Sequence, residues 1–173
     1  GIDSTKPLIF IFGGSQGSVA LNQIILEARS SLLKQGVQIL HGIGARNEMP
    51  EALDGYQAHS YINDMATAYL AADLIISRSG AVTCAEVNTL GRFALFIPLP
   101  IGNGEQELNA RDLISQSRAE LLPQSEFTRS WLLSNIERLL DQSAQSPIAG
   151  SDIDINAASK MVSLMEYALR GGK

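Results

Sequence analysis

Cysteine is nearly absent from this 173-residue chain. The one that occurs, Cys84, excludes an internal disulfide framework and most cysteine-based metal sites. Histidine is equally scarce. His41 and His59 make no recognisable metal-ligand set, and both are expected in exposed loops. Positive charge is in deficit, with 13 Lys+Arg against 18 Asp+Glu and a formal net charge of -5. The basic residues are scattered from Lys6 to Lys173, which argues against nucleic acid as a partner, because phosphate backbones are held by clustered cations. No apolar run approaches the roughly 18 residues of a membrane span, and no signal peptide opens the chain, so a cytoplasmic location is expected. At 45% hydrophobic and 18% charged, the chain has the material for one globular domain with a sizeable core. Residues 1–7 read as a linker or cloning remnant ahead of a domain over residues 8–173, as if cut from a longer protein.

The order of segments is informative. Leu8-Ile9-Phe10-Ile11-Phe12 is wholly apolar and ends at Gly13-Gly14, as a strand covered on both faces would. Residues 19–35 carry an apolar stripe at helical spacing (Leu21, Ile24, Ile25, Ala28, Leu32), with Gly36 as the stop. Further strands are predicted at 37–40, 58–62, 74–76, 93–97 and 119–122, and further helices at 64–72, 81–90, 106–116 and 128–140. Residues 142–151 read as a flexible loop before a last helix over 154–170. Strands separated by helical stretches imply right-handed crossovers and a doubly wound, mostly parallel six-stranded α/β sheet of Rossmann-like type. Ligands of such sheets sit beyond the carboxyl ends of the strands, so the residues after each strand carry the functional question.

After the first strand comes Gly13-Gly14-Ser15-Gln16-Gly17. Glycines at a strand-to-helix turn let the backbone approach a ligand, and the helix N-terminus beyond attracts an anion. The spacing is not that of the dinucleotide fingerprint. The second strand ends at Leu40-His41-Gly42 without the acid that would hold an adenosine ribose, and no Gly-Lys-Ser/Thr follows for a Walker loop. A tight turn with no ligand is the competing reading.

After the fourth strand comes Arg78-Ser79-Gly80-Ala81-Val82-Thr83-Cys84-Ala85-Glu86. Its small residues open a helix whose leading amides can bind a diphosphate, and Glu86 one turn on can accept from a ribose diol. Alternatively Thr83 and Glu86 form a capping box, which would make both structural. After the fifth strand, a loop rich in Pro and Gly leads to Glu105, Gln106 and Asn109, a mixed set of donors and acceptors suited to polyhydroxylated ligands, with an ordinary loop and N-cap as the competing reading. Asp152-Ile153-Asp154 has the form of a metal-binding Asp-x-Asp motif, but before a helix it reads as a cap. Cys84, among apolar neighbours, reads as core.

Taken together, these segments resemble one family. Gly13-Gly14-Ser15-Gln16-Gly17 with Leu21-Asn22, Tyr61-Ile62-Asn63-Asp64-Met65, and residues 78–86, 91–98 and 106–109 resemble the MurG family of bacterial N-acetylglucosaminyltransferases, which convert lipid I to lipid II in peptidoglycan synthesis. The likeness runs over residues 8–140, and the loop from Pro98 to Gln106 resembles the actinobacterial form. It implies one half of a GT-B glycosyltransferase, the C-terminal domain that binds the donor UDP-N-acetylglucosamine. On that resemblance the backbone of Ile62 reads the uracil edge with Arg78 close by. Ser15, in the loop of Gly13, Gly14 and Gly17, holds the diphosphate with Ala81, Val82 and Thr83. Glu86 takes the ribose hydroxyls, and Gln106 the sugar hydroxyls with Asn109 nearby. Glu105 stands where many members have a second Gln, and a carboxylate accepts from a hydroxyl without donating to one.

The family transfers with inversion, without cofactor or essential metal. Its catalytic base, its first two glycine-rich loops, its membrane-association patch and its lipid I site lie in an N-terminal acceptor domain. The implied behaviour of this chain is donor binding without catalysis, the full protein working at the cytoplasmic face of the plasma membrane. Two other readings stay open: the donor subunit of another GT-B UDP-sugar transferase, or a non-catalytic nucleotide-sugar-binding module.

Overall fold

A computed structural model describes residues 2–147. In chain order its elements are β1 (Leu8–Phe12), α1 (Val19–Lys34), β2 (Gln38–Gly42), β3 (Tyr56–His59), α2 (Met65–Ala71), β4 (Leu74–Ser77), α3 (Ala81–Thr89), β5 (Ala94–Phe96), α4 (Glu105–Ser115), β6 (Ala119–Leu121) and α5 (Arg129–Gln145). The strands form one sheet in the order β3-β2-β1-β4-β5-β6, and every neighbouring pair is parallel. The expected doubly wound α/β architecture is therefore present, with all six strands running one way.

Alternation along the strands divides the core into two layers. Ile9, Ile11, Ile39, Leu74, Ile76 and Leu95 face α1 and α5, meeting Leu21, Ile25 and Leu32 of the first and Leu132, Ile136 and Leu139 of the second. Phe10, Phe12, Leu40, Ile75, Ala94 and Phe96 face the other way, onto Ala68 and Tyr69 of α2, Cys84 and Val87 of α3, and Ala110 and Leu113 of α4. Central strands covered on both faces have no reason to alternate polar and apolar residues, which is why β1, β2, β4 and β5 are buried throughout.

Helix starts are of two kinds. Ser18, Asp64 and Thr128 cap α1, α2 and α5 with their side chains. Gly80 and Gly104 precede α3 and α4 and supply no cap. Among the described residues no helix is long and apolar enough to cross a membrane.

Three expectations need correction. The third strand lies at Tyr56–His59 rather than 58–62, because Tyr56 pairs with Ile39 and buries its ring, which leaves Ile62 in the connection to α2. The last described helix continues to Gln145, past the start of the expected loop at 142, since Ser143 donates its hydroxyl to the Asp73 carbonyl and Arg138 reaches Gln142. His41 sits in β2 with no solvent exposure, not in a loop. Asp3 and Lys6, in the segment read as a linker, are fastened to β2 through both ends of the Gln38 amide. Residues 148–151 of that loop, the helix at 154–170 and the Asp152-Ile153-Asp154 motif lie outside the described residues.

Candidate functional site

The chain leaves β1 toward one face of the sheet, into α1, and leaves the adjacent β4 toward the other face, into α3. Diverging connections open a crevice above the carboxyl ends of these strands, the usual ligand position in open α/β sheets. A pocket of about 190 Å³ occupies it, and Gly14, Ser15, Ile62, Thr83 and Glu86 all line it. Phe12 and Met65 supply apolar wall, and Tyr61, 58% exposed, stands at the same pocket.

The β1–α1 loop reaches this place by backbone-to-backbone packing. Gly17 has φ +76, and a Cβ there would lie 1.8 Å from the Ile43 carbonyl oxygen. Gly44, across the contact, has φ +90 and would put its own Cβ 2.2 Å from the Gly17 nitrogen. Only glycines allow such an approach. Asn47 closes the contact by donating to the Ile43 and Gln16 carbonyls, at 2.8 and 3.1 Å. Gly44 and Asn47 are absent from the sequence reading, since nothing local marks them as partners of a loop thirty residues away.

At α3 the first amide with an intrahelical acceptor is Cys84, 3.0 Å from the Gly80 carbonyl. The amides of Ala81, Val82 and Thr83 precede it, and no side chain caps them. Such an end carries partial positive charge and unpaired donors, an anion site needing no cation. The helix begins at Ala81, so Thr83 is not its cap, and Thr83 with Glu86 does not form a capping box. Glu86 instead accepts a 2.8 Å hydrogen bond from the Tyr69 hydroxyl. Burial first, then the hydrogen bond and charge of Glu86, raise the Tyr69 phenol far above its ordinary range, so it stays a donor. Cys84, buried beside them, has its thiol pushed up to about 12 by burial and is a core residue.

Other predicted residues frame the crevice. Arg78 is buried, and its guanidinium donates to the Ile97 and Pro98 carbonyls, both at 3.0 Å, to Ser18 Oγ at 2.8 Å and to Gln124 Oε1 at 2.5 Å. These partners follow β5, β6 and the glycine-rich loop, so Arg78 reaches across the sheet end toward β6 and is not among the residues lining the pocket with Ile62. Asn109 donates to the Ser79 carbonyl at 3.1 Å, joining α4 to the turn before α3. Gln106 Oε1 accepts from the Leu99 amide at 2.9 Å, which leaves its NH₂ group available. Glu105, the first residue of α4, accepts from the Asn103 amide at 3.2 Å. Among the described residues no group of His, Cys, Asp and Glu has the makings of a metal site.

Below the glycine-rich loop lies a buried polar network. Asn22 Nδ2 donates to the Ile43 carbonyl at 2.9 Å, which turns Oδ1 toward His41 Nε2 at 3.1 Å. His41 therefore donates from Nε2 and accepts at Nδ1 from the Tyr56 hydroxyl, 3.0 Å away. Burial chiefly, with a smaller contribution from the Arg29 charge, pushes the imidazole down to about 4, so it is neutral.

Fold and crevice together are those of one half of a GT-B-type glycosyltransferase, with uncapped helix amides at the switch point of the sheet. The chain belongs to the glycosyltransferase family 28 C-terminal domain family, which it matches over residues 8–166. It is 45% identical over 133 residues to the UDP-N-acetylglucosamine--N-acetylmuramyl-(pentapeptide) pyrophosphoryl-undecaprenol N-acetylglucosamine transferase of Corynebacterium glutamicum (strain R), covering 77% of this chain and 37% of the relative. The Streptomyces coelicolor protein of the same name is 40% identical over 141 residues, covering 79% of this chain and 39% of that protein. Among solved structures, Acinetobacter baumannii MurG superposes with a TM-score of 0.71 at 32% identity, over 91% of this chain and 50% of that one. The calicheamicin glycosyltransferase CalG4, at 16% identity and a TM-score of 0.65 over 82% of this chain and 37% of that one, shares the fold. The chain thus spans well under half the length of these curated relatives.

Proposed function

We propose that this domain binds UDP-N-acetylglucosamine as the donor half of the transferase that adds N-acetylglucosamine to lipid I, making lipid II for peptidoglycan. The observation that carries the reading is the convergence of Ser15, Ile62, Thr83 and Glu86 on one pocket at the switch point of the sheet. The names of its relatives, which specify this donor and an undecaprenyl acceptor, point the same way.

In this reading the backbone of Ile62 meets the uracil edge and Glu86 accepts from the ribose diol. Ser15 and the amides of Ala81, Val82 and Thr83 hold the diphosphate. The NH₂ of Gln106 donates to a sugar hydroxyl, while Glu105 accepts from one. Arg78 and Asn109 serve by fastening the surrounding loops rather than by touching the ligand. As the glycosidic bond breaks, negative charge grows on the departing diphosphate, and the N-terminal end of α3 is aimed where it grows. Fixed dipoles there lower the barrier without reorganising. The base that takes the acceptor's proton, and the surface that positions lipid I for inverting attack, belong to the acceptor half. The full protein then works at the cytoplasmic face of the plasma membrane, where an undecaprenyl-linked acceptor resides.

Calorimetric titration of the 173-residue chain with UDP-N-acetylglucosamine, UMP and NAD tests the reading. The sugar nucleotide is expected to bind tightest, and NAD binding tighter than it overturns the assignment.

A further inference from the structure

Glu86 has two carboxylate oxygens in different circumstances. Oε2 takes the Tyr69 hydroxyl at 2.8 Å, while among the described residues no hydrogen bond reaches Oε1. Tyr69 comes from α2, a different element, and its side chain is 1% exposed. Its ring is fixed by edge-to-face contacts with Phe10 and Phe12, at centroid distances of 5.6 and 5.8 Å. Phe12 lines the nucleotide pocket, as does Met65, one helical turn before Tyr69 on the same side of α2. The phenol thus comes up beneath the pocket floor and ends on the carboxylate at the pocket's edge. Packing needs only the ring, since Phe fills the same volume. The hydroxyl is the part that the core does not explain.

We propose that Tyr69 is a positioning residue for nucleotide binding, its hydroxyl holding one oxygen of Glu86 so that the other is presented to a vicinal diol. A Glu side chain has three rotatable bonds. Fixing one oxygen restricts its rotamers before the ligand arrives, so less ordering cost falls on binding. Because α2 begins at Met65, which lines the pocket, and Ile62 lies in the connection leading into it, the bond ties the ribose-side group to the helix that follows the base-side segment. The inference rests on the reading of Glu86 as the ribose ligand.

The test compares UDP with 2′,3′-dideoxy-UDP on the wild-type chain, Tyr69→Phe, Glu86→Ala and the double variant, with thermal melts confirming that each is folded. Tyr69→Phe is expected to weaken UDP binding about fivefold, the scale of one hydrogen bond's worth of organisation, and to leave dideoxy-UDP within about twofold of wild type. On the Glu86→Ala background the same change adds no further loss. If wild type fails to discriminate UDP from dideoxy-UDP, the ribose reading of Glu86 falls and the proposal with it. If wild type discriminates but Tyr69→Phe weakens both ligands equally, or neither, Glu86 keeps its role and the positioning claim is overturned. A loss from Tyr69→Phe that persists undiminished on the Glu86→Ala background also overturns it, and that comparison holds even if the hydroxyl affects overall stability.

Discussion

His41 gives the structure a pH dependence that belongs to one residue. In the unfolded chain its imidazole titrates near 6.5, whereas in the fold burial holds it down to about 4. As pH falls, the unfolded chain therefore takes up its proton first, and between these values unfolding is favoured by proton binding. The contribution is absent above pH 6.5, grows as pH drops toward 4, and is constant below that. At about 1.36 kcal/mol per unit, a gap of roughly 2.5 units amounts to about 3 kcal/mol of lost stability. That is a sizeable part of the roughly 5–15 kcal/mol that holds a domain together. Urea unfolding of wild type and His41→Gln at pH 7.5 and pH 4.5 isolates the effect. Gln at this position retains a donor and an acceptor for Asn22 and Tyr56 but cannot titrate. Wild type should lose about 2–3 kcal/mol more than the variant across this interval, whatever the two differ by at pH 7.5. Imidazole nitrogen shifts at pH 7 should show the proton on Nε2, as the Asn22 orientation requires. Equal losses in the two proteins would refute the argument, because the neutral buried imidazole is its only source.

Four further outcomes follow from the same geometry. Gly17→Ala should cost more than about 3 kcal/mol or prevent folding, since its Cβ meets the Ile43 carbonyl, while Gly14→Ala, with φ +91 but open space, should cost only about 1–2 kcal/mol; chemical denaturation compares them. Arg78→Lys should lower stability by about 2 kcal/mol, because an ammonium cannot span four acceptors, and it should weaken donor binding only through the loosened loops, as melts and titration on one sample will show. UDP affinity should change less than about threefold between 50 and 500 mM salt, since among the described residues no Lys or Arg lines the pocket; a steep salt slope would mean that a cation holds the diphosphate. The chain alone should transfer no radiolabelled N-acetylglucosamine to a lipid I analogue at saturating donor, and transfer abolished by Glu105→Gln would show that this domain carries its own base.

Much of the fold was legible because the signals were local. An apolar pentapeptide such as Leu8–Phe12 ending in two glycines cannot be much other than a central strand, and the stripe of Leu21, Ile25, Ala28 and Leu32 states which face of α1 is inward. The uncapped start of α3 was legible for the same reason, since small residues just after β4 leave helix amides without a side-chain cap. What escaped was set by distant pairing. The third strand is an edge strand with one fully buried residue, and its position follows from the Ile39–Tyr56 register rather than from its own pattern. His41 looked like a solvated loop residue because the groups that make burial tolerable, Asn22 and Tyr56, lie 19 and 15 positions away. Tyr69 has no place in the sequence reading, and only its hydroxyl, aimed at Glu86 from another helix, distinguishes it. The partners of Arg78 were likewise out of reach, since its acceptors after β5 are assembled only by the folded sheet.

On the proposed reading, how a chain of net charge -5 would accommodate a diphosphate follows from where its cations are used. Arg118, 3% exposed, enters from the start of β6 and donates to the Val87 and Asn88 carbonyls and to Asn88 Oδ1, at 3.1, 2.8 and 2.7 Å. It thereby adds a cation to the carboxyl end of α3, where the helix dipole favours a positive charge. The opposite end of the same helix has no cap. Arg78 is likewise consumed by carbonyls and side chains around the crevice. Both guanidiniums are thus fixed in place by neutral acceptors and hold the scaffold, so on the proposed reading anion recognition falls to backbone amides, which do not titrate. A mobile lysine would attract a diphosphate more strongly at a distance, but it would have to be ordered on binding and would hold product as firmly as substrate. Amides at a rigid helix end act over one turn, and their directionality favours charge at a defined oxygen rather than charge in general. That is the property required of a donor site in which the diphosphate becomes the leaving group.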